Sequence, residues 1–311
     1  MRGTLAILCS GQGGQHAGMF DLVAGSAEAE PVFAAAAALL GQDPRRFVRE
    51  AEHDALFTDR VGQILCCTQA MAAWAALGDS RPTHATVAGY SVGELAAWGC
   101  AGSLTMPTTL KLAEKRAAAM DAVAPEDGGL AAIVGLRRPR LEASLEEHGT
   151  TIAIINGIDS FVIGGHRAAL TASCTDAQAA GATHTVMLRV AIPSHTPLLA
   201  AASPVFRRDL EDVAPSPPST GFRLLSGVDG DEVLDVGAGC DKLGRQISTP
   251  IDWEACLDSC RSSGAARALE LGPGNALSRM AASFFPDGHA RSTADFRTLA
   301  GLKAWLARED A

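Results

Sequence analysis

The pentapeptide Gly89-Tyr90-Ser91-Val92-Gly93 fits the pattern Gly-x-Ser-x-Gly, which carries a nucleophilic serine on a tight strand-to-helix turn. Glycines flank the serine because such a turn leaves no room for side chains at those places. The turn lifts the hydroxyl and aims the next helix's amides at it. An apolar run at 85–88 precedes the motif, and Glu94-Leu95-Ala96-Ala97-Trp98 continues it as helix. An ordinary tight turn is the competing reading. Glu94 reads as an acid complementing the dipole of a first helical turn. A serine hydroxyl is barely nucleophilic near neutral pH and needs a base. Among eight histidines, His195 stands out because Pro193 and Pro197 brace the loop that presents it. The alternative is a surface-loop histidine. The only later histidine, His289, closes the polar stretch 286–289 and reads as loop.

Two further residues have spacing that bears on chemistry. Gln12 lies between glycines in the loop after the first apolar run, where backbone N–H groups can serve an oxyanion. A dinucleotide fingerprint is excluded there, since Gly11-x-Gly13-x-x-His16 lacks the third glycine. Arg116 shares one helical stripe with Leu112 and Met120 at i, i+4 spacing, while Lys111 and Lys115 face water. An arginine on an apolar stripe either pairs with an internal acid or waits for an anionic ligand, and the pattern favours the internal salt bridge.

The elements that must position these residues alternate in the first half of the chain. Residues 5–9 and 85–88 read as short buried strands, and 31–40, 61–77 and 107–120 as alanine-rich helices. Strands separated by helices imply βα units on a mainly parallel sheet. From 128 the rhythm changes: strand 130–136, helix 139–148, strands 151–155 and 160–163 around the turn 156–159, helix 167–180, strand 184–190. That βαββαβ order is the ferredoxin-like arrangement. The rhythm therefore implies an α/β fold: a larger unit with a mainly parallel sheet, formed by 1–127 and 191–311, with an inserted ferredoxin-like subdomain at 128–190. Residues 215–219 read as a surface linker, and 268–271 as another strand.

The chain has 311 residues, 47% of them hydrophobic and 20% charged, enough to bury a large core. Its formal charge of −9 makes nucleic acid and anionic membranes poor partners. The apolar stretch 61–78 carries Gln63, Thr68 and Gln69 and reads as a buried helix. The run 5–9 is too short for a signal peptide. Eight cysteines without any Cys-x-x-Cys pair read as buried, reduced thiols, pointing to the cytoplasm. Cys256 and Cys260 lie one helical turn apart, yet no histidine nearby completes a metal shell.

Together these pieces resemble the malonyl-CoA:acyl carrier protein transacylase family, the acyltransferases of fatty acid and polyketide synthesis. The resemblance covers nearly the whole chain. Its motifs, in order, are Gly11-Gln12-Gly13, the elbow at 89–94, Arg116, and Ile192-Pro193-Ser194-His195. Arg245-Gln246-Ile247 ahead of Pro250-Ile251-Asp252-Trp253 follows, and then Leu271-Gly272-Pro273-Gly274. The resemblance implies that Ser91 accepts the malonyl group from malonyl-CoA and that His195 is its base, oriented by the backbone carbonyl of Gln246. It further implies an oxyanion hole from the amides of Gln12 and Val92, Arg116 binding the free carboxylate, and Asn156 bordering the pocket. The fold it implies is an α/β-hydrolase-like core plus the ferredoxin-like insert, with the active site in the cleft between them. No metal or bound cofactor is implied, and an acyl carrier protein would accept the group. Arg137, Arg138, Arg140 and the stretch 242–245 are candidate basic patches for an acidic carrier, or solvated surface. Two positions depart from the family: Tyr90 replaces its usual histidine and Ser10 its usual proline. The Gly-Tyr-Ser-Val-Gly-Glu form looks most like the acyltransferase subunit of bacterial malonate decarboxylase. The rival readings are a serine hydrolase or thioesterase, and a docking scaffold without catalysis.

Overall fold

The computed structural model describes residues 4–285 and 289–308. Among them, ten strands follow in chain order: β1 (Thr4–Cys9), β2 (Ala85–Gly89), β3 (Gly128–Val134), β4 (Thr151–Gly157), β5 (Ser160–His166), β6 (His184–Met187), β7 (Phe222–Leu224), β8 (Ile251–Asp252), β9 (Ala265–Leu271) and β10 (Ala290–Ser292). The first sheet has the order β10-β9-β1-β2-β7, and every pairing in it is parallel. The second has the order β6-β3-β5-β4-β8 and is antiparallel except for the β4–β8 pair. The molecule is thus an α/β protein with one parallel and one mixed sheet.

Strand β1 shows why the parallel sheet forms. Its residues from Leu5 to Cys9 are all buried, as expected for a central strand covered on both faces. Successive side chains serve different cores. Leu5, Ile7 and Cys9 join the larger core with the helices Glu30–Leu40, Asp59–Leu77 and Gly93–Cys100. Ala6 and Leu8 point the other way, into a core between the two sheets that includes Leu130, Ile154, Val162 and Trp253. A third core lies between the second sheet and the helices Arg138–His148 and Arg167–Ala179.

The helix Asp59–Leu77 is long and apolar enough to cross a membrane by composition alone. Here all its residues except Arg60 and Val61 are buried inside the protein. A helix apolar on every side belongs in a core. All eight cysteines are free thiols, and only Cys174 is not fully buried.

Several expected boundaries shift. Asn156 and Gly157 belong to β4, not to the turn, because the β4–β5 pairing continues to Gly157 opposite Ser160. Strand β6 stops at Met187, short of residue 190. Residues 286–288 lie outside the described residues, but His289 immediately precedes β10, which pairs with β9.

Candidate active site

The parallel strands β1, β2 and β9 end together, and their carboxyl ends carry the loops that hold the candidate residues. Open parallel sheets bind ligands at that edge. Strand β2 runs straight into the turn Tyr90–Val92 and the helix Gly93–Cys100. Ser91 sits in that turn with φ +56°, a left-handed conformation unusual for a residue with a side chain. The turn is tight enough to demand its glycines. A Cβ at Gly89 would lie 2.2 Å from the Glu94 nitrogen, and one at Gly93 would lie 2.1 Å from the Cys9 carbonyl oxygen. This is the elbow geometry, and the ordinary-turn alternative falls.

Ser91 Oγ lies 2.8 Å from His195 Nε2. His195 Nδ1 donates to the Gln246 carbonyl at 2.6 Å, which leaves Nε2 as the acceptor for the serine proton. That carbonyl is available because Gln246 caps the C-terminus of the helix Val236–Arg245, where carbonyls lack intrahelical partners. The histidine is no surface residue: it is buried at φ +65°, its own amide donating to Ile247 at 2.7 Å. The Thr196 hydroxyl, bonded to the Pro193 carbonyl at 2.7 Å, pins the loop around it. Burial, reinforced by the positive charge of Arg116, pulls the His195 imidazole down to about 3. The Gln246 hydrogen bond opposes this, and the ring is neutral near pH 7.

Arg116 is 1% exposed on the helix Met106–Asp121. Among the described residues it makes no salt bridge, so the internal ion pair favoured by the sequence pattern does not form. Its Nη1 donates to Gln63 Oε1 at 2.9 Å and its Nη2 to Gln246 Oε1 at 3.0 Å. Among the described residues its Nε has no partner. Each glutamine in turn donates to a buried acid: Gln63 Nε2 to Asp59 Oδ2 at 2.8 Å, Gln246 Nε2 to Glu94 Oε2 at 2.6 Å. Gln246 Nε2 also reaches the Ser91 carbonyl at 3.2 Å. Burial pushes the Asp59 carboxyl up to about 6 and the Glu94 carboxyl up to about 7. Glu94 is therefore no solvent-facing dipole acid. It is fully buried and accepts the Gly227 amide at 3.0 Å. Asp59, Gln63 and Glu94 are members of the site that pattern reading did not assign.

The remaining candidates are close by. The amides of Gln12 and Val92 make no hydrogen bond among the described residues, and Val92 caps the helix whose N-terminus faces Ser91. Cys66 Sγ donates to the Gly11 carbonyl at 3.3 Å, the other end of the Gln12 peptide unit. Among the described residues Asn156 makes no hydrogen bond to Ser91, His195 or Arg116. It lies against Tyr90, whose ring packs edge-on to Trp253 at 5.4 Å between centroids. Burial raises the Tyr90 phenol, and the Asn156 amide opposes that rise. Ser10 donates to Glu270 Oε1 at 2.8 Å, and the same carboxylate accepts the amides of Leu277 and Ser278. Of the basic candidates, Arg138 pairs with Glu142 and Lys242 with Asp229 and Asp231, as solvated surface does.

This arrangement has known relatives. A family model for the acyl transferase domain matches residues 7–230. The malonyl CoA-acyl carrier protein transacylase of Salmonella typhimurium is 30% identical over 281 residues, 88% of this chain and 90% of that protein. The crystal structure of an acyl-carrier-protein S-malonyltransferase from Burkholderia pseudomallei superposes with a TM-score of 0.89 at 28% identity, covering 98% of this chain and 100% of the other. A malonyl-transacylase solved in complex with its type II polyketide acyl-carrier protein gives 0.87 at 26% identity, covering 97% and 99%. On these matches the chain belongs to the acyl transferase domain family, the family of the malonyl CoA-acyl carrier protein transacylases.

Proposed function

We propose that this protein moves a malonyl group from coenzyme A to the phosphopantetheine-type thiol of an acyl carrier protein, through a malonyl ester on Ser91. The observation that carries the reading is a buried guanidinium without a carboxylate partner, one glutamine away from a serine–histidine pair. His195 Nε2 takes the Ser91 proton as Oγ attacks the thioester carbonyl. The amides of Gln12 and Val92 hold the resulting oxyanion, each donor worth roughly 3 kcal/mol. The C–S bond then breaks, and coenzyme A leaves as a thiol with the proton returned by His195. The carrier's thiol attacks the ester by the same route in reverse. The Gln246 carbonyl keeps the imidazole in the tautomer this requires.

Arg116 gives selectivity. A bidentate guanidinium–carboxylate pair in a dry pocket favours malonyl, whereas acetyl leaves the cation unpaired. Asn156, with Tyr90, borders the pocket on the side of the second sheet. The chemistry calls for no bound cofactor or metal, and the free thiols fit a cytoplasmic setting. We assign 1–127 and 191–311 to an α/β-hydrolase-like core and 128–190 to a ferredoxin-like insert. The sheet order β6-β3-β5-β4, built by β3 to β6 with their two helices, supports that division.

Mass spectrometry after incubation with malonyl-CoA tests the reading. One malonyl group should appear on Ser91, be absent from Ser91→Ala, and be discharged by a holo-carrier of fatty acid synthesis or of malonate decarboxylase. Rapid loss to water without any carrier would instead make the protein a thioesterase.

A further inference from the structure

Two buried carboxylates, Asp59 and Glu94, sit near Arg116 and take no part in the steps above. Neither touches it. Between each acid and the guanidinium stands a glutamine amide, and both amides point the same way: Nε2 to the acid, Oε1 to the arginine. Asp59 Oδ2 and Glu94 Oε2 both act as acceptors, so each acid dictates which end of its amide faces Arg116.

We propose that Gln63 is a specificity-determining residue that acts by position. With Gln246 it holds the two buried acids one hydrogen bond away from Arg116, so the guanidinium keeps an uncompensated charge for the acyl carboxylate. The inference rests on the reading of Arg116 given above and names a residue that controls it. A carbonyl oxygen fixes a guanidinium in place without cancelling its charge. A carboxylate at the same 2.9 Å would cancel it, because such pairs are strong where water is excluded. The incoming malonyl group would then have to displace an existing ion pair. The acids still serve the unliganded protein, since a buried cation needs counter-charge within reach. Their raised carboxyls show how little of that charge the interior tolerates. The guanidinium Nε, buried and without a partner among the described residues, is a remaining unused donor on the cation.

Isotope exchange between an acyl-CoA and free coenzyme A tests this without any carrier. Gln63→Glu is isosteric and places a carboxylate on Arg116. Its KM for malonyl-CoA should rise about tenfold or more, with kcat changing by less than about threefold. Acetyl-CoA exchange should not fall in step, so the malonyl-to-acetyl ratio of kcat/KM drops about tenfold. A merely structural role for Gln63 would lower both substrates together. If repulsion between Asp59 and the introduced carboxylate prevents folding, the double variant Asp59→Asn with Gln63→Glu removes the like charges and carries the same expectation. A folded variant with the wild-type ratio overturns the proposal, provided Arg116→Ala loses that ratio. If Arg116→Ala also keeps it, the role given to Arg116 itself falls, and this inference with it.

Discussion

At the carboxyl edge of the parallel sheet, Asp59, Gln63, Glu94, Arg116, His195 and Gln246 are all buried and joined by hydrogen bonds. In the unit built by β3 to β6, the buried polar residues among those described are Thr150 and Ser173, paired hydroxyl to hydroxyl at 2.8 Å, and the buried polar atoms without a partner are the uncharged Ser144 Oγ and Asn156 Oδ1. Charged groups of that unit stay outside, as in the exposed pair Arg138–Glu142 and in His166, which pairs with Asp127 at the edge of the other unit. Burying charge is costly, and polar networks are tolerated only when nearly satisfied. Among the described residues the second unit buries no charged side chain and so avoids the larger of these costs. The edge of the parallel sheet accepts it, and still leaves Arg116 Nε, Asp59 Oδ1 and Glu94 Oε1 without partners among the described residues. Polarity that packing does not need is best explained by chemistry.

That contrast predicts where substitutions act on the reaction. The largest effect belongs to His195→Ala, which removes the base in contact with Ser91 and should slow acyl-enzyme formation ~10³-fold, read by quenched-flow mass spectrometry. Arg116→Ala comes next. It should lower the preference for malonyl-CoA over acetyl-CoA ~10²-fold, because a hydrogen-bonded charge pair worth a few kcal/mol is lost.

The same substitution has a pH signature. In the wild type His195 titrates near 3, so the base is still neutral at pH 5 and acetyl-CoA exchange should stay level from pH 7 down to 5. An ordinary histidine would lose its free base on falling below about 6.5. Glu94 and Asp59 both pick up protons in this range, and the free Glu94 Oε1 and Asp59 Oδ1 can carry them while Oε2 and Oδ2 keep their hydrogen bonds. Removing the cation that depresses His195 should raise its pKa, moving the acid limb upward in Arg116→Ala. A limb that stays in place would mean burial alone sets the imidazole, and the link between the arginine and the base would be lost.

How much of this was legible depended on whether a residue's partners lie near it in the chain. The elbow is local, so Gly89, Ser91 and Gly93 announce it within five residues. His195 shows through its flanking prolines, and Arg116 through its stripe with Leu112 and Met120. The partners of Arg116 do not show. Gln63 and Gln246 are 53 and 130 positions away, and an uncharged amide leaves no periodic mark. Glu94 was readable only as a helix-start acid, because its contacts with Gly227 and Gln246 come from the far end of the fold. Strands β7, β8 and β10 have two or three residues each, too few for any alternation to register. They form because β2, β4 and β9 offer open edges.

Ser10 tests the middle of the range. Its hydroxyl is one of three donors to the buried Glu270, so Ser10→Ala should cost about 1–2 kcal/mol in urea unfolding with an unchanged m-value. An unaltered midpoint would mean the two helix amides satisfy that carboxylate alone.

The smallest effect is expected in the second unit. His148 Nε2 lies 2.6 Å from Asp176 Oδ2 across the helices Arg138–His148 and Arg167–Ala179, with both side chains partly exposed. Exposed pairs contribute less than about 1 kcal/mol, since water screens them and two side chains must be held still. His148→Ala should therefore shift the urea midpoint slightly and leave malonyl-CoA exchange at the wild-type rate. Among the described residues no side chain of that helix pair hydrogen-bonds to Ser91, His195 or Arg116, so no polar link carries the loss to the reacting atoms. A rate falling more than about threefold would show that the second unit's outer layer governs Ser91, and the division between the two interiors would not hold.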